Sequence, residues 1–312
     1  MMSSVFIIGN GFDLAHEIKT SYEDFHQDLK ENYPDASFKG YVPEAKMMPD
    51  GDMSYGAIDT VGFLIKVISE AELESEGGEK WSDLETSLSL GRLSLNEYLD
   101  DWVDDDDDNE WHKVQRNENV AINLVGAVLE ISDYFSEWIE SIEIDEFSPK
   151  NDFVNLIDKE NDLFLTFNYT QTLEVLYKVK NVCHIHGEQG SDLMFGHGDD
   201  ATYTEQFMDS HVGAEDYLQE MHEKLRKDTA GAINRNQEFF RNISKSVDRI
   251  YSFGFSFSEV DQVYIQEICR RLLTNDVTWV LNDFDREEER EKYRKVIKSC
   301  GFRGKFETYH VE

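Results

Sequence analysis

Three short segments of this 312-residue chain combine residue types that do chemistry. Gly9-Asn10-Gly11-Phe12-Asp13 closes one apolar run, Asn168-Tyr169 closes a second, and His184-Ile185-His186-Gly187 closes a third. A glycine turn that opens a helix brings backbone N–H groups close to a phosphate. An asparagine carboxamide holds water or a hydroxyl without adding charge, and a histidine takes or gives a proton near pH 7. Alternate residues of a strand share a face, so His184 and His186 point the same way. His186, at a strand end and followed by glycine, is the candidate for contact with a ligand; His184 reads better as a satisfied core or capping residue. Leu14 fills the third glycine position of the dinucleotide pattern GxGxxG, so a bare tight turn accounts for Gly9 to Asp13 equally well.

Metal chemistry is a rival use of the same residues. His184, His186, His197 and Asp199 are of the types that hold a catalytic ion, but their spacing matches no established motif. No metal is therefore expected. The run Asp104 to Asp108 lacks the turn glycine and the alternation of a calcium loop, which leaves a solvated acidic loop.

The elements that must position these residues follow from short apolar runs that end in Gly or Asn and pass into helical patterns. Val5 to Ile8, Leu163 to Phe167, Asn181 to Ile185, Arg249 to Phe253 and Val277 to Leu281 read as strands. Phe306 to Val311 reads as a last, antiparallel edge strand. Continuous apolar runs are those of parallel strands buried on both faces. Ser258 is placed as N-cap of a helix from Glu259 to Leu273, with Asp261 near a capping box. Ile58 to Leu73, Trp81 to Trp102, Val120 to Ile142 and the more polar Tyr203 to Val247 are helical in pattern. The expected fold is α/β and Rossmann-like: one domain over 1–312, a mostly parallel sheet, and large helical insertions at about 55–150 and 203–247 that pack over a sheet edge as a lid. A separate helical domain is the alternative.

Composition bounds the function. With 30 Lys and Arg against 65 Asp and Glu, the net charge is −35, which argues against direct nucleic-acid binding, where Lys and Arg displace condensed counterions. It argues equally against an anionic membrane surface. Cys183, Cys269 and Cys300 are far apart and in no CxxC spacing, which fits a reducing cytoplasm. The apolar run Val5 to Ile8 is short for a signal peptide. The negative charge collects in the helical stretches and the aspartate run, whereas the strand ends carry Gly, Asn, His and Ser. A nearly neutral pocket within an acidic surface is expected.

At these residues the chain resembles a known family. IIGNGFDLAHEIKTSYEDF near the start, WSDLETSL at Trp81 to Leu88, LTFNYTQTLE at Leu165 to Glu174, HIHG at His184 to Gly187, FGHGD at Phe195 to Asp199 and YSFGFSFSEVD at Tyr251 to Asp261 look like the AbiH family of abortive-infection proteins. More distantly, a glycine turn after the first strand, an asparagine after a middle strand and a His-Gly pair are similar to sirtuins and sirtuin-like NAD hydrolases. That likeness implies a sirtuin-like fold and an NAD site. Gly9, Asn10, Gly11, Phe12 and Asp13 would cradle the pyrophosphate, Asn168 would orient water and ribose, and His186 would act as base. Gly254 and Ser256 would line the adenosine side, with Asn282 on the same wall. Thr166, Tyr169, Gly187 and Asp261 flank these positions and count with them. Asn10, Asp13 and Thr170 stand where the sirtuin pattern has alanine, serine and aspartate, and the cysteines of a zinc ribbon are missing, which removes protein deacylation.

The expectation is an antiphage NAD hydrolase that cleaves the nicotinamide–ribose bond, with NAD as substrate. A homo-oligomer or a defence-system partner protein is a possible companion. A nucleotide-sensing module that engages a partner, and a metal-dependent phosphoesterase, are the alternatives.

Overall fold

The computed structural model describes residues 3–38, 41–49, 53–74, 84–85, 87–90, 110–243 and 247–311. The aspartate run and most of the pattern from Trp81 to Trp102 lie outside the described residues. The chain divides into two compact units. One comprises Met1–Thr20, Ile139–Met194 and Asp228–Glu312, the other Ser21–Trp138 and Phe195–Lys227.

In chain order the elements are β1 (Ser3–Ile8), α1 (Gly11–Ala15), α2 (Tyr22–Asn32), β2 (Lys46–Met47), β3 (Met53–Ser54), α3 (Ala57–Glu74), α4 (Glu110–Leu129), α5 (Ile131–Ser141) and α6 (Asn151–Leu156). There follow β4 (Leu163–Thr166), a π turn (Leu173–Tyr177), β5 (Val182–His184), α7 (Thr204–Ser210), α8 (Glu215–Lys224), α9 (Thr229–Arg235) and α10 (Gln237–Asn242). The last are β6 (Val247–Phe253), α11 (Gln262–Arg271), β7 (Thr278–Asn282), α12 (Glu287–Ser299) and β8 (Lys305–Tyr309).

The first unit is built on a six-stranded sheet in the order β5-β4-β1-β6-β7-β8, with every neighbouring pair parallel. The fold is thus α/β with a Rossmann-like parallel sheet, as expected. Counted by first appearance, the order is that of the doubly wound dinucleotide-binding sheet, whose winding reverses beside its first strand. Here the reversal falls between β1 and β6.

The strand pattern is legible in the packing. Val5 and Ile7 of β1 face a core with Leu165, Ile250, Trp279 and Leu281, while Phe6 and Ile8 face a second core with Phe164, Tyr251, Phe253 and Val280. Both faces are covered, so both alternating sets had to be apolar. Phe6 stacks between its register partners Phe164 and Tyr251, with ring centroids 5.1 and 4.7 Å apart. Such aromatic pairs add about 0.5–1.5 kcal/mol each beyond area burial, and these two bind the three central strands together.

Two expectations are corrected. β8 is not antiparallel: it pairs parallel with β7, from Thr278↔Lys305 to Asn282↔Tyr309. The 13-residue α12 between them is the reason, because a helical crossover returns the chain to the end where β7 began. The helix expected from Glu259 starts at Gln262 with Asp261 at its N-cap position. Ser258 Oγ donates to Asp261 Oδ2 at 2.7 Å, so this pair orients a carboxylate and does not cap the first turn.

The second unit is mainly helical. α2 opens on a capping box in which Asp24 N–H donates to Ser21 Oγ and Ser21 N–H donates to Asp24 Oδ2. Its buried Phe25 meets Phe135 of α5 edge on, and Phe135 stacks on Phe195. The stretch read as helical from Val120 to Ile142 is divided at Glu130 between α4 and α5. The antiparallel ribbon β2–β3 was not foreseen, since strands of two residues carry no periodicity. Among the described residues no helix is long and apolar enough to cross a membrane.

One contact holds the sheet at its reversal. Gly254 has φ +62°, and a Cβ there would lie 2.3 Å from Phe12 N and 2.5 Å from Gly11 Cα. Gly254→Ala is therefore expected to destabilise the protein by more than about 2 kcal/mol in urea unfolding. A change within about 0.5 kcal/mol, as at an ordinary surface position, would show that the two turns are not tightly apposed.

Candidate functional site

The carboxyl ends of β1, β4, β5 and β6 carry most of the residues singled out above. The turn after β1 is locked to the turn after β6. Gly9 N–H donates to Phe253 O and Gly11 N–H to Gly254 O, both at 3.0 Å, while Phe12 N–H donates to Gly9 O at 2.9 Å. Three of the N–H groups expected to cradle a pyrophosphate, those of Gly9, Gly11 and Phe12, are thus engaged by the protein itself. The missing side chains serve backbone contact: a Cβ on Gly9 would lie 2.5 Å from Gly254 O. Asn10 Nδ2 donates to Thr20 O at 2.9 Å and ties down the chain beyond α1. Phe12 turns into the core, against Phe153 and Phe253.

Asp13 is fully buried beneath the end of β4. Thr170 Oγ1 donates to its Oδ2 at 2.5 Å, and Thr172 Oγ1 lies 3.0 Å from Thr170 Oγ1. Burial pushes the Asp13 pKa up to about 6, against the opposing pull of Thr170, Thr172, Asn168 and the charge of His184.

Asn168 is set by Thr166, whose Oγ1 accepts the Asn168 N–H at 3.1 Å. Its carboxamide is buried, and neither Oδ1 nor Nδ2 has a hydrogen-bond partner. The Asp13 carboxylate is near enough to feel this amide, yet Asp13 Oδ1 also lacks a bond. A buried amide oxygen left without a partner costs roughly 1–3 kcal/mol.

His186 follows β5 and is 3% exposed. Its ring meets Phe167 and Tyr264 edge on, at centroid distances of 5.3 and 5.8 Å, and lies 6.3 Å from Tyr169. The residues on either side of Asn168 therefore both border this histidine. His186 Nε2 is 3.4 Å from Asp261 Oδ1, and the other Asp261 oxygen is held by Ser258. A carboxylate beside an imidazole orients the ring and favours its charged form. Gly187, at φ +89°, lets the chain turn against Asp192, whose carbonyl would be 2.3 Å from a Cβ. Tyr169 Oη donates to Met194 O at 3.1 Å.

The remaining expectations divide. His184 is bonded on both nitrogens, Nδ1 to Asn168 O at 3.1 Å and Nε2 to Glu174 Oε1 at 2.9 Å, which makes it the satisfied residue it was read as. Burial works against its charged form, but the hydrogen bond and charge of Glu174, with Asn168 and Glu188, raise its pKa. Gly254 locks the two turns and Ser256 is exposed in the loop beyond it. Asn282 spends its carboxamide on the chain end, donating to Val311 O and accepting from Phe284 N–H. His197 and Asp199 belong to the second unit, where His197 stacks on His222 and Tyr203 Oη donates to Asp199 Oδ2.

Tyr264 escaped sequence reading, and so did the partner of Asp261. Asp261 was placed near a capping box and counted among the residues flanking the expected site, and its partnership with His186 spans 75 positions. Tyr264 is fully buried with an unbonded hydroxyl, and burial followed by the Asp261 charge raises its pKa far above the ordinary value. A tyrosine three residues after an aspartate at a helix start was the available signal. These strand ends are also less neutral than expected, since the buried Asp13 and Asp261 lie among them. A groove of about 370 Å³ in the second unit, lined by Glu44, His112, Arg116 and Asn123 among others, contains none of these groups.

The family model described as bacteriophage abortive infection AbiH matches residues 5–283. The chain belongs to this family, and so to the antiphage abortive-infection proteins. No curated protein and no solved structure matches it.

The Asp13 environment sets a pH dependence. A carboxyl group whose pKa rises on folding holds its proton more tightly in the folded chain. Its contribution to stability is full below the unfolded pKa of about 3.9 and is lost as pH rises through about 6. Asp13→Asn should match wild type in urea unfolding near pH 4 and gain on it toward pH 8. The gain is capped at about 3 kcal/mol, at roughly 1.4 kcal/mol per pKa unit. Parallel stability curves for the two proteins would contradict the assignment.

Proposed function

We propose that this AbiH-family protein hydrolyses the bond between nicotinamide and ribose in NAD, with Asn168 and His186 as the catalytic residues. The observation that carries the reading is the buried Asn168 carboxamide, whose Oδ1 has no hydrogen-bond partner, set between two residues that border a histidine backed by a carboxylate. The sheet supports it further: Asn168 and His186 follow the carboxyl ends of β4 and β5, the end at which such sheets bind ligands, one and two strands from β1 at the reversal of winding.

The chemistry asks little of a leaving-group acid. The bond from ribose C1′ to the pyridinium nitrogen breaks with its electron pair going to that nitrogen, and nicotinamide leaves neutral. The ribose becomes oxocarbenium-like, and a water oxygen forms the new bond to C1′ while His186 accepts its proton. Asp261 stabilises the imidazolium that results. Asn168 holds the water or a ribose hydroxyl through its amide. The aromatic rings of Phe167, Tyr169 and Tyr264 exclude bulk water from the histidine. With the Gly9 and Gly11 N–H groups engaged, the nicotinamide–ribose half of the substrate supplies most of the recognition.

A net charge of −35 does not forbid an anionic substrate. At physiological salt the Debye length is about 8 Å, so carboxylates beyond that range act weakly, and local donors decide binding.

The test is NAD consumption by the purified full chain, alone and with lysate from phage-infected cells. Wild type should release nicotinamide and ADP-ribose. His186→Ala and Asn168→Ala should each lower the rate by about 100-fold to 10,000-fold, and Asp261→Asn should lower it less. Equal turnover by wild type and His186→Ala would overturn the mechanism. NAD-dependent thermal stabilisation without turnover under either condition would instead favour a nucleotide-sensing module.

A further inference from the structure

His184 sits at the end of the edge strand β5 with its two ring nitrogens facing acceptors. Nδ1 lies 3.1 Å from the Asn168 carbonyl oxygen, which can only accept, so Nδ1 carries a proton. Nε2 then faces two carboxylates, Glu174 Oε1 at 2.9 Å and Glu188 Oε2 at 3.8 Å. In the neutral ring this nitrogen presents a lone pair to oxygen lone pairs, which is repulsive. Only a second proton or a cation between the three groups resolves the arrangement.

Several features favour the cation. One ligand atom from each of Glu174, His184 and Glu188 can be chosen so that all lie within 4.8 Å of one another. Tetrahedral ligands at metal distances of about 2.0–2.2 Å stand roughly 3.3 Å apart, between the two separations observed. Glu174 Oε2 is buried with no hydrogen-bond partner. Gln171 Nε2 donates to Glu188 Oε2 at 2.9 Å, and the Asn168 carbonyl fixes the His184 tautomer; both are supports of the kind that surround metal ligands. Glu174 projects from the π turn, a distortion often found at functional sites. The glutamate side chains are 32% and 42% exposed, which leaves an ion a way in.

We infer that Glu174, His184 and Glu188 bind one divalent transition cation of the zinc class, with water completing its shell. One imidazole and two carboxylates suit zinc and its neighbours; calcium requires six to eight oxygens. The ion would take no part in the glycosidic chemistry. It would fix His184 and, through the Nδ1 hydrogen bond, the backbone of Asn168. The inference stands apart from the NAD reading, because metal binding is measured without substrate.

The experiment is calorimetric titration of the chelator-stripped full chain with zinc chloride, repeated with cobalt chloride while visible absorption is recorded. Wild type should bind one equivalent at this site, show the intense cobalt bands of low coordination, and unfold at a higher temperature with zinc. Glu174→Gln and His184→Gln should lose this equivalent. Glu188→Gln, at an exposed position that tolerates change, should weaken it by at least about tenfold. The inference is overturned if wild type takes up no zinc, if a folded Glu188→Gln binds it as wild type does, or if nuclear magnetic resonance shows His184 Nε2 still protonated with stoichiometric zinc present.

Discussion

The meeting of two glycine turns at the reversal of the sheet is the constraint from which the site follows. Gly9 and Gly11 approach Gly254 so closely that backbone touches backbone, and the N–H groups of the first turn donate to the carbonyls of the second. No side chain fits between them. This contact fixes where α1 begins, and α1 carries Asp13 under Thr170 and Asn168. It also fixes where the chain leaves β6 on its way to Asp261 and the His186 ring. Glycines that look like a phosphate cradle in sequence are thus a clamp between the turn that leads to Asp13 and the turn that leads to Asp261.

The electrostatics of the site differ from those of the chain. Negative charge dominates the composition, but the site balances two buried aspartates against hydroxyls, an amide and two histidines. Asp13 has its pKa moved up by burial, and Asp261 is shared between Ser258 and His186. Unsatisfied atoms collect here as well: Asp13 Oδ1, both ends of the Asn168 carboxamide and the Tyr264 hydroxyl. Each such group works against stability.

The strands were legible because buried parallel strands need apolar residues on both faces, and Val5 to Ile8 or Leu163 to Leu165 leave no other reading. The direction of β8 was not, since direction depends on the length of the crossover and not on the strand's own residues. Asn168 and His186 were visible as polar residues ending apolar runs and Asp261 as a residue flanking them, whereas its pairing with His186 and the approach of Tyr264 come from a helix start whose capping pattern suggested a local role. Asn282 shows the converse. It ends an apolar run in the same way as Asn168, yet its amide is consumed by Val311 and Phe284. Only the partners of a side chain distinguish a ligand group from a structural tie.

The most direct measurement is a crystal structure of the His186→Ala protein grown with NAD, in which substrate survives. The nicotinamide ribose is predicted to lie against the Asn168 carboxamide, with its C1′ facing the space left by the imidazole and Asp261 beyond it. A nucleotide bound in another part of the chain, or one whose adenine end occupies the Asn168 position, would contradict the assignment of this pocket to the nicotinamide–ribose bond.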